Sequence, residues 1–193
     1  MNPFKEFEHF IAYFVPGAIL FATVLSCLSL FFQIDLLLLT KGTISVTIIG
    51  STVMGLFLDD ARHEWVDDKI FDAWATKSGY DSKKKMKDFE CYMPKIGVDV
   101  YTTIRNEYWY YYEFDLNVAA ALSLATIGIP FYVHRFHPVM VYPLVIVSVL
   151  VLPIATLFIK FGKNGAHIFY QNCVDTISEV DADFLETIQS RRE

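Results

Sequence analysis

Cysteine is scarce in this sequence, and its spacing excludes the sites that cysteines most often build. The 193 residues include 3 cysteines, Cys27, Cys91 and Cys173, and no two of them form a CxxC pair. Cys27 lies in an apolar run, and the orientation predicted from the basic residues places the other two in the cytoplasm, where thiols stay reduced. The sequence therefore predicts no disulfide, no metal site and no cofactor.

Positive charge is also in short supply. The chain has 16 lysines and arginines against 22 acidic residues, which leaves a formal net charge of -6. A nucleic-acid-binding face needs clustered basic side chains to neutralise phosphates. The charge balance therefore argues against nucleic acid as a partner and predicts an ordinary acidic surface.

Sequence motifs of catalysis and nucleotide binding are missing as well. The chain has no GxSxG, no GxGxxG and no Walker-type loop, and Glu64 is followed by Trp65-Val66-Asp67, so HExxH is absent. No charged residue lies at the centre of an apolar run, where proton relays and ion-coupled transporters usually have one. These absences disfavour the common hydrolases, nucleotide-dependent enzymes and secondary transporters.

Long apolar runs are what the sequence does contain. Hydrophobic residues make up 54% of the chain and aromatic residues 16%, and they are concentrated in four blocks. A membrane span needs about 20 mostly apolar residues to cross a hydrocarbon layer of about 30 Å. The blocks predict four transmembrane helices, over residues 11–32, 43–58, 116–133 and 139–159. The first block is too long for the apolar core of a secretory signal, so we expect it to remain as an anchor.

The polar segments between and after these runs are also predicted to be helical. No proline or glycine interrupts 60–77, so the second helix should continue out of the membrane and stop at Gly79. Asp99 has the character of an N-cap for a helix that runs into the third span. Apolar residues at spacings of three and four predict an amphipathic tail helix from about His167 to Ile188, namely Val174, Ile177, Val180, Phe184 and Ile188.

The predicted fold is therefore an all-α, polytopic membrane protein with four transmembrane helices and a small helical cytoplasmic domain. Extensions of helices 2 and 3, together with the C-terminal helix, would form that domain. The predicted segments are a first transmembrane hairpin (1–58), a cytoplasmic helical segment (59–115), a second transmembrane hairpin (116–160) and a cytoplasmic amphipathic helix (161–193).

The distribution of basic residues predicts the orientation. The two turns between paired spans hold only Lys41 and Arg135, whereas the remaining lysines and arginines lie in the N-terminal, middle and C-terminal segments. Cytoplasmic loops carry the excess of basic residues. We therefore expect both termini in the cytoplasm, and we expect the membrane to be a bacterial inner membrane.

Small residues recur four positions apart within the apolar runs. They are Ala18, Ala22 and Ser26 in the first run, Ser51 and Gly55 in the second, and Ala119 and Ser123 in the third. This spacing lets helices approach closely in lipid. We expect the third span to pack against the second and, because the stripes exceed what paired hairpins need, we expect a homo-oligomer. The fourth run has no such stripe and should face lipid.

Acidic and imidazole residues cluster where the second span ends, at Asp59, Asp60, His63, Glu64 and Asp67. Carboxylates with one histidine can hold a divalent metal, so Asp59, Asp60, His63 and Glu64 are the candidate catalytic residues. The interpretation we favour is a structural interlock in which arginines pair with carboxylates across two helices. Its predicted members are Asp59, Arg62, Arg105, Glu107, Glu113 and Asn117.

A block of aromatic residues precedes the third span. It consists of Tyr108, Trp109, Tyr110, Tyr111 and Tyr112. Tyrosine and tryptophan favour the headgroup level of a membrane, where the ring is covered and the polar tip is wet. The block is interpreted as such a belt; a stacking platform for a nucleotide is the alternative, although it would need a converging basic groove.

These observations predict an integral membrane protein without enzymatic activity. Its partners would be the bilayer, further copies of the chain and a soluble cytoplasmic protein that its cytoplasmic domain senses or docks. Its spans would respond to that partner, as in a membrane-perturbing effector. The layout is similar to that of small multi-span components of bacterial antiphage systems, which implies a role in antiviral defence. The alternatives are a metal-dependent enzyme at the membrane interface and a channel or transporter subunit.

Overall fold

The computed structural model describes residues 3–33, 44–79, 97–104, 108 and 110–180. Within these ranges all residues are helical except Gln33, Gly79, Gly97 and His137, and no strand occurs. The prediction of an all-helical chain is confirmed. The described α-helices are α1 (Pro3–Phe32), α2 (Ile44–Arg62), α3 (Asp68–Ser78), α4 (Val98–Ile104), α5 (Tyr110–Phe136) and α6 (Val141–Val180). A π-helical turn, His63–Asp67, joins α2 to α3, and a 3-10 turn, Pro138–Met140, precedes α6.

Three of the described helices are long and apolar enough to cross a membrane. The qualifying segments are Phe10–Phe32, Tyr110–Phe136 and Leu144–Glu179. These helices support the prediction of a membrane protein. Three of the four predicted spans are long and apolar enough to cross a membrane. Helix α2 has 19 residues and is not among them, because its last turn carries Asp59, Asp60 and Arg62.

The chain divides into two compact units. Unit 1 comprises Met1–Asp60 and Glu113–Lys160, and unit 2 comprises Ala61–Tyr112 and Phe161–Glu193. The divisions after residues 60, 112 and 160 fall inside α2, α5 and α6, so each of these helices contributes to both units.

Helices α1, α2 and α5 pack together in unit 1. Leu20, Leu58 and Ala121 form a buried core to which one residue comes from each helix. This contact confirms that the third apolar run packs against the second. The most apolar window of α6 is only 6% buried, and the expectation that this run faces lipid stays a prediction.

Glycines allow α1 and α2 to come within backbone contact. A Cβ atom on Gly17 would collide with the backbone of Ser51 and Gly55, and one on Gly55 would collide with the carbonyl group of Tyr13. Small residues permit this approach and gain van der Waals contact along the helices. The Ser51 and Gly55 pair is therefore used inside one chain.

Hydroxyl side chains in the apolar helices bond to their own helix. Thr23 donates to the carbonyl oxygen of Ile19 at 2.8 Å, and Thr156 donates to that of Leu152 at 2.9 Å. Ser26 and Ser123 make the same bond over one turn. Because a bilayer core supplies no water, these internal bonds allow the hydroxyl groups to be tolerated there.

Helix α6 is continuous over 40 residues, which corresponds to about 60 Å at about 1.5 Å per residue. We expected the last span to end near Lys160 and a separate tail helix to begin near His167. The helix instead passes through Gly162 and Gly165, because glycine lowers helix stability by only about 1 kcal/mol and terminates a helix only where it turns left-handed. The tail residues Val174 and Ile177 are buried as predicted, whereas Phe184 and Ile188 lie outside the described residues.

Unit 2 has its own aromatic core. The buried face of α3 presents Phe71 and Trp74, and both rings pack on Tyr170 of α6 with centroid separations of 5.2 and 5.3 Å. Gly79 ends α3 with a φ of 77°, and its N–H donates to the carbonyl groups of Ala75 and Thr76. The predicted stop at Gly79 is confirmed.

The predicted N-cap at Asp99 is displaced. Helix α4 begins at Val98, directly after Gly97 with its φ of 85°, so Asp99 lies inside the first turn. Gly97, with its positive φ, is not helical and therefore marks the start of α4. Whether α4 and α5 are continuous is left as a prediction, because 105–107 and 109 lie outside the described residues.

Candidate functional site

The π-helical turn brings together two charged residues that an α-helix would separate. In a π turn the backbone bonds join residues five apart, so side chains at i and i+5 lie on one face. Arg62 and Asp67 are spaced in this way, and one guanidinium nitrogen of Arg62 donates to both carboxylate oxygens of Asp67 at 2.8 and 2.6 Å. The side chains are 3% and 9% exposed, so the pair is buried inside unit 2.

Tyr112 completes the pair in two ways. Its hydroxyl group donates to Asp67 Oδ1, and its ring lies 5.0 Å from the guanidinium carbon of Arg62. The ring face therefore attracts the cation while the hydroxyl group neutralises part of the carboxylate. We call Arg62, His63, Asp67 and Tyr112 the Arg62 cluster.

His63 has both ring nitrogens engaged by the Arg62 cluster. Its Nδ1 lies 2.7 Å from Asp67 Oδ2, and its Nε2 lies 3.1 Å from a guanidinium nitrogen of Arg62. Arginine can only donate, so Nε2 is the acceptor and Nδ1 carries the proton that is donated to Asp67. Both ring nitrogens of His63 therefore have partners within the Arg62 cluster.

The other candidate catalytic residues differ in exposure. Asp60 and Glu64 are exposed, whereas Asp59 is half-buried and accepts a hydrogen bond from Asn117. The contacts of His63 with Arg62 and Asp67 support a structural role in the Arg62 cluster.

Three of the predicted interlock residues meet inside unit 1. The amide nitrogen of Asn117 donates to Asp59 Oδ1 at 3.2 Å, and carboxylate oxygens of Asp59 and Glu113 lie within 4.8 Å of each other. Glu113 and Asn117 are 2% and 1% exposed. Asn117 Oδ1 is buried and has no hydrogen-bond partner among the described residues. We call Asp59, Glu113 and Asn117 the Asn117 cluster.

The remaining interlock residues, Arg105 and Glu107, lie outside the described residues. Arg62 has Asp67 as its partner, whereas the interlock prediction paired it with a carboxylate on a second helix. Asp67 was recognised as part of the acidic cluster, but its spacing from Arg62 is not one that an α-helix brings together. The interlock across two helices stays a prediction.

The aromatic block is not uniform. Tyr112 is fully buried, Tyr111 is 63% exposed, Tyr108 and Tyr110 are half-buried, and Trp109 lies outside the described residues. The belt interpretation did not include the hydrogen bond from Tyr112 to Asp67. No feature of the sequence distinguishes this tyrosine from its neighbours.

Unit 2 also carries large apolar side chains on its surface. Trp65, in the π-helical turn, is 67% exposed, and Val98 at the start of α4 is 76% exposed. Comparison with known proteins gives no match to a family model, a curated sequence or a solved structure. The function must therefore be argued from these contacts and surfaces.

Proposed function

We propose that this chain is an integral membrane protein in which unit 2 docks a soluble cytoplasmic partner and unit 1 spans the bilayer and responds. The observation that carries this proposal is the division of the chain into two units, of which one exposes apolar helix faces and the other has a core of its own. Unit 1 contains helices with uncovered apolar faces. Unit 2 has its own aromatic core and a buried ion pair, which are features of a domain that folds in water.

The proposal includes α2 as a fourth span. Its support is the backbone contact with α1 at Gly17 and Gly55, together with apolar residues exposed on its outer face. Val46, Ile49 and Phe57 are 59%, 65% and 61% exposed. Lipid would cover such a face. The apolar part of α2 is short for a span, and a thinner local bilayer accommodates a short helix at modest cost.

The proposed topology places both termini and unit 2 in the cytoplasm of a bacterial inner membrane. Its support is the excess of basic residues in the segments that would then face the cytoplasm. Helices α2, α5 and α6 each contribute to both units. Their shared backbone is the route by which a docking event in unit 2 would reach unit 1.

Trp65 is the proposed anchor for the partner. Exposed aromatic side chains are enriched at the centres of protein interfaces and often carry much of the binding energy. A photo-crosslinking amino acid at position 65, in intact cells, should give a discrete protein adduct. The same photo-crosslinking amino acid in place of Asp72, which is also exposed on unit 2, serves as the control and should give no protein adduct.

The response is measured separately in liposomes that contain the purified chain and a trapped dye. We expect dye release when the partner that was identified by cross-linking is added to liposomes with wild-type protein. Liposomes with the Trp65→Ala variant should release much less dye. Equal adducts from positions 65 and 72, or adducts with lipid alone, would contradict docking at Trp65. Liposomes that stay tight with the partner would contradict a membrane-perturbing response.

A homo-oligomer is also proposed, although fewer small residues are available for contacts between chains than the sequence predicted. Ser51 and Gly55 pack against α1 within one chain, whereas Ala22 and Ala120 lie on uncovered faces of α1 and α5. A monomeric mass in detergent-corrected light scattering would contradict it. The metal-dependent enzyme at the membrane interface has less support, because both ring nitrogens of His63 are engaged within the Arg62 cluster.

A further inference from the structure

We infer that Lys77, Lys163 and His167 form a binding site for the phosphate group of an anionic lipid headgroup. We call these three residues the basic cluster. All of them belong to unit 2, where Lys77 comes from the end of α3 and the other two come from α6. The inference rests on the proposed membrane topology, because it takes the edge of the bilayer to lie near Lys160, but it does not depend on a partner at Trp65.

Packing between α3 and α6 brings the basic cluster together. The ring of Trp74 in α3 packs on that of Tyr170 in α6 with a centroid separation of 5.3 Å. Lys77 follows Trp74 by three residues, so it lies close to the packed face of α3. His167 precedes Tyr170 by three residues and lies close to the packed face of α6. Lys163 is one turn before His167 on the same side of that helix.

The members of the basic cluster are close enough to interact electrostatically. The imidazole of His167 is half-buried, and the positive charges of Lys77 and Lys163 both act on it. Within the described residues neither lysine forms a hydrogen bond or an ion pair. Like charges that are held together repel each other, and an anion bound between them offsets the repulsion. A phosphate group has several acceptor oxygens and can bind both ammonium groups at once.

The position of Lys163 along α6 favours a lipid as the source of the phosphate. The predicted span ends at Ile159, and four further residues advance the helix by about 6 Å. The headgroup layer extends about 5–8 Å beyond the hydrocarbon core on each side of a bilayer. The backbone of Lys163 would therefore lie at headgroup depth, from which a long lysine side chain reaches the phosphates. In the proposed orientation this is the cytoplasmic leaflet, whose anionic lipids attract basic side chains.

Native mass spectrometry of the full chain in a neutral detergent tests the site. Phosphatidylglycerol and phosphatidylcholine with the same acyl chains are titrated separately. Both lipids contain a phosphate group, but only phosphatidylglycerol carries a net negative charge. We expect wild-type protein to bind phosphatidylglycerol saturably and with an affinity at least about fivefold higher than that for phosphatidylcholine. Equal affinity for the two lipids overturns the inference.

Variants that remove one charge locate the site. Lys77→Gln and Lys163→Gln should each raise the Kd for phosphatidylglycerol about fivefold, the factor that corresponds to about 1 kcal/mol per basic residue near an anionic membrane surface. Lys69→Gln removes the same charge from another exposed lysine of α3 and should leave the Kd unchanged. An equal effect of Lys69→Gln overturns the inference, because it would show that net charge alone attracts the lipid.

Soluble anions distinguish a lipid site from a site for free phosphate. Inorganic phosphate and glycerol 3-phosphate are added separately, at constant ionic strength, to the complex of wild-type protein with phosphatidylglycerol. We expect neither anion to displace the lipid at the concentration of the lipid, because the acyl chains add apolar contacts that a soluble phosphate lacks. Displacement at that concentration overturns the assignment of the site to a lipid.

Alkaline carbonate extraction of liposomes that contain the purified chain tests the membrane proposal separately. Protein that resists extraction but shows no preference for phosphatidylglycerol overturns this inference and leaves the proposed membrane spans intact. Protein that is extracted overturns the proposed spans, and this inference with them. The two proposals therefore fail in different experiments.

Discussion

Arg62 illustrates how local backbone geometry decides which residue a charged side chain contacts. On an α-helix its neighbours would be three and four positions away, whereas the π-helical turn gives it Asp67, five positions away. The ion pair is buried and has two further supports, the ring and the hydroxyl group of Tyr112. The cost of removing one charge should therefore greatly exceed that of a surface pair.

We expect Arg62→Met to lower the free energy of unfolding by about 3–5 kcal/mol, because it leaves the Asp67 carboxylate buried without its cation. Lys69→Met, which removes an exposed cation from α3, is the control and should stay within about 0.5 kcal/mol. Denaturant unfolding of the detergent-solubilised protein measures both variants.

The double variant Arg62→Met, Asp67→Leu separates the ion pair from the packing of its side chains. Replacing both charges with apolar groups removes the uncompensated charge, so we expect the double variant to recover most of the loss. A double variant as unstable as the sum of the two single variants would contradict this account.

At the scale of single residues, the sequence predicted which residues lie in a polar cluster but not which side chains are hydrogen-bonded to each other. Asp59 and Asn117 were both assigned to the interlock, and they are hydrogen-bonded in unit 1. The pairing of Arg62 with Asp67 was missed because only the unpredicted π-helical turn makes it possible. Tyr112 was grouped with its neighbours because burial distinguishes it from them and sequence does not.

At the scale of the elements, the contact between α1 and α2 depends on positions where no side chain fits. Gly17 and Gly55 meet backbone atoms, which cannot move without displacing a helix, whereas a Cβ atom on Gly128 would lie 2.7 Å from Thr23 Cγ2 and 3.2 Å from Cys27 Sγ. Side-chain atoms can shift by rotation. The glycines should therefore differ in their tolerance of alanine.

We predict that Gly55→Ala destabilises the protein by about 1–3 kcal/mol, since overpacking at a backbone contact outweighs the gain in helix propensity. Gly128→Ala should cost less, because the neighbouring side chains can move and alanine favours the helix. The difference between the two melting temperatures in detergent tests this. A Gly55→Ala variant as stable as wild-type protein would show that α1 and α2 are not in backbone contact.

Hydropathy and capping predicted the elements well where one physical effect dominates. The apolar runs correspond to α1, α2, α5 and the first half of α6, and Gly79 ends α3 with a left-handed conformation. A separate tail helix was expected from about His167, but Gly162 and Gly165 lie in a continuous helix, because packing in unit 2 outweighs the small propensity cost of glycine. The backbone of Gly165 lies against Tyr112, with Tyr112 Cβ 3.5 Å from where a glycine Cβ would be.

For the molecule as a whole, the two units differ in the environment that suits their surfaces. The outer residues of unit 1 are apolar and uncovered, as shown by the low burial of the most apolar window of α6. Unit 2 buries Phe71, Trp74 and Tyr170 in a core of its own. Composition predicted this separation, whereas the boundaries inside three helices depend on tertiary contacts that no local pattern encodes.

The proposed topology predicts opposite labelling of two engineered cysteines. In a chain whose own cysteines are replaced by alanine, Arg135→Cys should react with an impermeant maleimide on intact spheroplasts. Ser78→Cys, at the end of α3, should react only after lysis, because the positive-inside rule places it in the cytoplasm. Both parent residues are exposed, so lack of reaction reports the side of the membrane. Reversal of this pattern would contradict the orientation.

The π-helical turn between α2 and α3 has a consequence for insertions and deletions. Each residue of an α-helix advances the side chains by about 100° around the axis, and the wider π-helical turn absorbs about one residue of that advance ahead of α3. Phe71 and Trp74 face the core of unit 2 with that offset in place. Loss of a single residue from 63–67 would restore a regular helix and leave the aromatic face of α3 toward the core, whereas the same residues wound as a regular α-helix without a deletion would rotate the whole of α3 by about 100°. A one-residue deletion should therefore be better tolerated within this turn than inside α3, where it would turn the aromatic face away from the core.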